Sequence, residues 1–259
     1  MVRSHEDNTS IAHAILDADG VLFEGTTGVN GLFVSIGTAC LAELDVDITH
    51  EELAAEMEMD PGKSPREVML GFLKNSPELI QEAIRRHRQL SITDIPRGIK
   101  PIDGAAETLG ALHEDGVTLS INSAADRDVL DIVIPQIGMD MRWFGDRMFT
   151  ADNTPGGHNK PEPYAINELV RRTKIPKEST FMVGDSTSDA AAAHYADVEP
   201  VVVLTGNLTL EELDRREDLS VRYIIPSVTL LGSVIYQHLT QIERQADIQK
   251  KILTATAAQ

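Results

Sequence analysis

The sequence predicts an α/β fold, a doubly wound parallel sheet interrupted early by a helical insert. Three observations carry this reading. From residue 104 onward, short apolar runs bounded by turn residues alternate with helical patterns, as they do around a parallel sheet. Two apolar runs end in Gly and Asp: Ala14-Ile15-Leu16-Asp17-Ala18-Asp19-Gly20 and Phe181-Met182-Val183-Gly184-Asp185. In open α/β sheets ligands bind at the carboxyl edge, where such acids are delivered. Between the first run and the alternating part, residues 26–95 read as helix alone.

Each element has its own local reason. Residues 11–22 read as one buried strand and its turn. Phe33, Ile36, Cys40 and Leu44 then recur at helical spacing. Thr49 and Glu52 form a capping box ahead of Leu53 and Met57, and Ser64-Pro65-Arg66-Glu67 repeats that signature with Pro at the first helical position. Ser76-Pro77 opens a fourth helix carrying Leu79, Ile80, Ala83 and Ile84. Pro96, Gly98 and Pro101 read as a stiff, bent connection out of the insert. Beyond it the order is helix 104–114, strand 117–122, helix 126–134, strand 146–150, a Gly/Pro loop at 153–161 and helix 163–172. Strand 180–184, helix 187–195, strand 201–204, helix 209–216 and strand 222–225 follow, and the tail 229–259 reads as one or two helices that fray past Gln245. The expected domains are 1–23 with 99–232 as a discontinuous core, 24–98 as the insert, and 233–259 as a helical tail. Two linkers, near 23–26 and 95–101, allow the insert to close over the sheet edge.

Composition bounds the function. The 259 residues are 42% apolar and 25% charged, ordinary for a globular protein able to bury a large core. A formal charge of -18 argues against nucleic acid or an anionic membrane as partner, and an anionic substrate needs local cations or a metal. Cys40 is the one cysteine, so no internal disulfide forms; it lies on an apolar helix face and reads as core. The polar start, Met1 to Ser10, lacks the apolar core of a signal peptide, and no run reaches the roughly 18 apolar residues of a membrane span. A cytoplasmic protein is expected, as a monomer or a homodimer, since nothing in the sequence decides whether the tail packs on the core or on another subunit.

The chemistry-bearing residues lie at strand ends. Asp17 and Asp19 are crowded like charges, tolerable with a cation or a shared proton. Carboxylate oxygens suit magnesium, and an Asp is a known covalent nucleophile toward phosphoryl groups. The same Asp-Gly chemistry also makes ordinary turns. Ser123 and Ala124, after the strand ending at Asn122, offer a hydroxyl and backbone N–H groups ahead of a helix, an anion site that an N-cap would equally resemble. Lys160, in Gly156-Gly157-His158-Asn159-Lys160-Pro161, can neutralise a phosphate, or be a solvated loop lysine. Asp185 and Asp189 are spaced to share one helical face, where caps are also common. Trp143 and Phe144 read as core, and Arg85-Arg86-His87-Arg88 as a solvated or internally paired basic cluster.

The ordered set Asp17-x-Asp19-Gly20, Ser123, Lys160 and Gly184-Asp185-x-x-x-Asp189 resembles the four motifs of the haloacid dehalogenase superfamily, over roughly residues 11 to 232. The insert is similar to the helical cap of its phosphoglycolate phosphatase and β-phosphoglucomutase branch. The resemblance implies a Rossmann-like core and a Mg2+-dependent phosphatase acting on a small phosphorylated metabolite. It implies Asp17 as nucleophile forming an aspartyl-phosphate and Asp19 as general acid and base. Mg2+ would lie among Asp17, the Asp19 carbonyl, Asp185 and Asp189, with Ser123, Ala124 and Lys160 on the phosphoryl oxygens. Family dehalogenases and phosphonatases lack the acid at the position of Asp19, which favours a phosphatase. Mutases carry a His where this chain has Val29, and Glu24-Gly25 replaces the residues usual after the first motif. In the insert Lys63 and Arg66 are the candidates for selecting the substrate, against an exposed helix start. The alternatives are a sugar-phosphate mutase or phosphotransferase, and a non-catalytic phospho-ligand-binding regulator on the same scaffold.

Overall fold

The first strand, β1 (Ala12–Leu16), is buried along its whole length, as a central strand covered on both faces must be. In the computed structural model, which describes residues 11–24, 31–59, 65–206, 208–216 and 218–257, it is the middle of a six-stranded parallel sheet. The other strands are β2 (Val117–Asn122), β3 (Met148–Phe149), β4 (Thr180–Gly184), β5 (Glu199–Val203) and β6 (Tyr223–Ile225), in the spatial order β3-β2-β1-β4-β5-β6. This is the Rossmann-like order, and its switch point lies between β1 and β4.

Strand alternation sorts the side chains into two layers. Ala12, Ala14 and Leu16 of β1 join Val117, Leu119 and Ile121 of β2 and Phe181 and Val183 of β4 in one apolar cluster. Helices α5 (Ala105–Glu114) and α6 (Arg127–Gln136) supply Leu109, Leu112, Val129, Leu130 and Val133 to that layer. On the opposite face Ile15 and Met182 meet Ala165, Ile166 and Leu169 of α7 (Tyr164–Thr173) and Ala192, Ala193 and Ala196 of α8 (Thr187–Ala196). A short helix, α9 (Leu210–Asp214), brings Leu213 against Ala190 and Val202. The tail is one continuous helix, α10 (Leu231–Ala257), whose Leu231, Val234 and Ile235 extend the first layer. No helix among the described residues is long and apolar enough to cross a membrane.

The segment between β1 and α5 holds α1 (Leu32–Ala42), α2 (His50–Met59), α3 (Pro65–Gly71) and α4 (Ile80–Gly98). Val34, Cys40, Leu41, Leu53, Ala54, Val68, Met69, Leu73 and Ala83 form an apolar cluster of their own. The Thr49 box is made: the Thr49 N–H donates to Glu52 Oε2 at 2.9 Å and the Glu52 N–H to Thr49 Oγ1 at 3.2 Å. Ser64 lies outside the described residues. After Ser76 a 3-10 turn, Pro77–Leu79, leads into α4.

Two expectations are corrected here. Pro96 does not end the helix, because α4 continues to Gly98. Pro96 stands in the last turn, where one lost backbone bond is outweighed by full burial of Ile95 beneath it. His87 does not belong to a surface basic cluster, because it shares a buried stripe with Ala83, Ser91 and Ile95. Burial lowers its pKa to about 4, with Arg66 contributing. Its neighbours Arg85 and Arg86 pair with Glu82, and Arg86 also with Glu43.

His13 faces the α7 layer, its Nε2 2.7 Å from Ser120 Oγ. Burial, helped by Arg147, lowers its pKa from 6.5 to about 3, so the native ring is neutral. Below pH 6.5 the unfolded chain takes up a proton there that the native chain does not, so acid removes stability at about 1.4 kcal/mol per pH unit. Asp126, raised to about 6 chiefly by burial, gives the opposite slope, so the comparison must be with a variant. Urea titrations should find the advantage of wild type over His13→Asn smaller by about 2 kcal/mol at pH 5 than at pH 7. An unchanged advantage would mean that His13 is charged in the native state.

Candidate active site

Register sets the site. Leu16 pairs with Ile121 on one side and Val183 on the other, so β1, β2 and β4 end at one level. The Asp17 N–H continues the ladder to Val183 O at 2.8 Å, after which the chain turns. Gly20 makes that turn with a φ of 70°, and its N–H donates to Phe23 O at 2.9 Å. The two linkers pair beside it: the Glu24 N–H donates to Lys100 O at 2.8 Å and the Ile102 N–H to Leu22 O at 3.0 Å.

Asp17, Asp185 and Asp189 converge here, each buried and each offering an oxygen within 4.8 Å of the others. Lys160, 7% exposed, reaches in from its loop: Nζ lies 3.0 Å from Asp17 Oδ2 and 2.7 Å from Asp189 Oδ1. Asp17 Oδ1 accepts from the Ala18 N–H at 2.7 Å. Burial pushes the Asp17 carboxyl above the usual range; Lys160 opposes this and Asp189 adds to it. Burial works against the Lys160 ammonium, but the two carboxylates hold its pKa above the ordinary lysine value. Lys160 is therefore no solvated loop residue. Asp189 is also a helix cap, since Oδ2 accepts from the Ser186 N–H at 3.1 Å while Ser186 Oγ accepts from the Asp189 N–H at 3.2 Å. Asp19 is half-buried in the same turn.

Ser123 follows β2 at the same edge and is 5% exposed. Its surroundings differ from the expected row of free amides. The Ser123 N–H donates to Phe149 O at 2.9 Å, and the Ala125 N–H donates to Ser123 Oγ at 3.1 Å. That leaves the Ala124 N–H without a hydrogen bond among the described residues, and the Ser123 hydroxyl hydrogen available. One residue earlier, Asn122 Nδ2 is buried with no partner among the described residues, a donor beside the Ser123-Ala124 turn that the sequence reading passed over.

Gly206, after β5, was also missed. A Cβ there would stand 1.6 Å from Asp185 Oδ2, and one on Gly20 would stand 2.3 Å from the same oxygen. Thr205 Oγ1 donates to Gly20 O, joining the two glycine turns around Asp185. A Gly just past a strand that ends beside the site was the available signal. Of the two insert candidates, Lys63 lies outside the described residues. Arg66 is not an exposed helix start: its Nη1 is 2.7 Å from Asp126 Oδ2.

The donors have the chemistry of a hard-cation site. Three carboxylates supply oxygen only, and three negative charges stand against the Lys160 ammonium that bonds two of them.

Comparison with known proteins agrees with this geometry. Phosphonoacetaldehyde hydrolase of Bacillus cereus is 26% identical over 148 residues, 55% of this chain and 55% of that protein. Pyrophosphatase PpaX of Halalkalibacterium halodurans is 27% identical over 132 residues, 51% of this chain and 60% of its own length. The chain thus spans little more than half the length of these curated relatives. Among solved structures, CbbY from Rhodobacter sphaeroides in complex with phosphate has a TM-score of 0.68 at 20% identity, covering 86% of this chain and 96% of its own. A hydrolase from Pseudomonas syringae has a TM-score of 0.67 at 19% identity, covering 87% and 97%. These two establish the fold alone. The model of the haloacid dehalogenase-like hydrolases matches residues 14–203, from the strand before Asp17 to the last residue of β5, and the chain belongs to that family.

Proposed function

We propose that the protein is a Mg2+-dependent phosphatase that hydrolyses a small phosphate monoester through an aspartyl-phosphate on Asp17. The observation that carries this is a buried carboxylate held at a strand end by Lys160, beside two further acids and the Ser123-Ala124 turn. A ligand-binding regulator would need neither a buried nucleophile nor a nearby acid such as Asp19.

The chain's own groups divide the work. Asp17 attacks phosphorus in line, and the bond from phosphorus to the ester oxygen breaks. Asp19 gives its proton to the departing alkoxide, leaving an alcohol. Asp19 then takes a proton from water as the water oxygen attacks phosphorus. The bond to Asp17 breaks, which releases inorganic phosphate and restores both acids. Lys160 has three N–H donors, two engaged by Asp17 and Asp189, and the third is offered to a phosphoryl oxygen. The Ser123 hydroxyl and the Ala124 N–H serve the others. Asp17, the Asp19 carbonyl, Asp185 and Asp189 would hold Mg2+, which when bound offsets the charge of nucleophile and phosphate. Helices α1–α4 act as a cap that excludes water.

The decisive experiment is phosphate release from p-nitrophenyl phosphate and from a panel of sugar, polyol and nucleotide monophosphates, with Mg2+ and with chelator. Release that depends on Mg2+ and on Asp17 supports the reading; none on any ester overturns it. Phosphonoacetaldehyde belongs in the panel because a relative is named for it. Asp19, which the family's phosphonatases lack, predicts preference for the ester, and cleavage confined to the phosphonate would reverse that assignment. A mutase would conserve esterified phosphate.

Gly206 gives a separate check. An added methyl must displace Asp185. Gly206→Ala should therefore weaken Mg2+ binding by about 10- to 100-fold in titration calorimetry. Unchanged affinity would remove Asp185 from the metal set.

A further inference from the structure

The pair between Arg66 and Asp126 joins two parts of the fold that the catalytic scheme leaves separate. Arg66 is on α3, in the helical insert, and Asp126 is the residue that opens α6, three positions after Ser123. The side chains are 18% and 9% exposed, so water screens them poorly. Asp126 does not cap its own helix, since its carboxylate makes no bond to an α6 amide. Its recorded hydrogen bond goes instead to the guanidinium. Two more links follow along the same helix: Arg88 of α4 pairs with Asp128, and Gln136 Nε2 donates to Pro96 O. All three therefore run from the insert to α6, and the buried one stands at the end nearest the phosphate-seating turn.

We propose that Asp126 is a positioning residue for the hydrolysis: it draws Arg66 to the amino end of α6 and thereby docks the cap beside the Ser123-Ala124 anion seat. This deepens, and rests on, the phosphatase reading. Arg66 then acts by fixing the cap, its guanidinium held through Nη1 by the pair. A helix start would ordinarily use an acid as its own cap. Spending that acid on a residue from another part of the fold makes the turn and the cap move as one. Loss of either partner strands a buried charge, so each single change should damage function as much as the double change.

The test is a double-mutant cycle on Arg66→Met and Asp126→Asn, with Arg66→Lys and Asp126→Glu as milder variants in case a truncation fails to fold. Two readouts are taken. The first is hydrogen exchange of α3 and α4 in the free protein, which needs no activity. The second is kcat and KM on whichever ester the panel selects. Expected are faster exchange in α3 in both single variants, a rise in KM of about tenfold with a smaller change in kcat, and a double variant no worse than the singles. If Arg66→Met raises KM while Asp126→Asn changes neither readout, Arg66 works on substrate and the proposal is overturned. Additive effects in the double variant overturn it as well. If wild type hydrolyses no ester, the phosphatase reading falls, while the exchange data still decide whether the pair docks the cap.

Discussion

Asp17→Asn will lower kcat by about four orders of magnitude while leaving the fold intact. The substitution keeps the volume of the side chain and an oxygen able to accept from the Ala18 N–H, so the turn at Gly20 has no reason to change. Lys160 keeps Asp189 at 2.7 Å and stays paired. In the proposed scheme the loss is the nucleophile itself, and a neutral amide oxygen does not replace it at phosphorus. Asp19→Asn should behave differently. Its cost is that of a general acid and base, about 10²- to 10⁴-fold, and the intermediate should accumulate because no base activates the water. Intact-protein mass spectrometry after rapid quenching should detect a phosphorylated chain in Asp19→Asn and none in Asp17→Asn. If Asp17→Asn retains activity within about tenfold of wild type, covalent catalysis at this residue is wrong, whatever the fold.

What the sequence disclosed depended on the range of the physics involved. The strand ends at Asp17 and Asp185 were legible because an apolar run, a Gly and an acid are all local, and the switch point of the sheet then brings the two ends together. The Thr49 box was legible for the same reason. Arg85-Arg86-His87-Arg88 misled because adjacency in sequence is not adjacency on a helix. About 100° of rotation per residue sends His87 inward while its neighbours find acids outside. Pro96 misled because propensity yields to tertiary packing over Ile95. Gly206 and Asn122 were overlooked because neither carries chemistry of its own. One matters by leaving room for Asp185, the other by presenting a buried amide. The partner of Arg66 was out of reach, since nothing local joins residue 66 to residue 126.

Lys160→Met should be the most destabilising change at the site, by about 3–5 kcal/mol in the metal-free protein at pH 8. Methionine fills the lysine stem but leaves Asp17 and Asp189 facing each other in a buried pocket without their shared ammonium. For a chain of this length the cost corresponds to a Tm lower by about 10 °C. The pH dependence follows from the sign of the shift. Without Lys160 the forces that raise Asp17, burial first and then Asp189, act unopposed. An acid whose folded pKa lies above its unfolded one destabilises the native state increasingly as pH rises between those two values. The deficit against wild type should therefore be largest at pH 8 and shrink toward pH 4, at higher pH than for loss of an ordinary surface pair, whose deficit shrinks only as pH falls through the usual carboxylate range. Mg2+ supplies a second test in the same samples. A cation held by Asp17, Asp185 and Asp189 replaces part of the missing positive charge, so added Mg2+ should raise the Tm of Lys160→Met more than that of wild type. Equal Tm values for variant and wild type at pH 8 in chelator would mean that Lys160 does not carry the charge balance of the site. The roles assigned to Asp17 and Asp189 would then have to be derived anew.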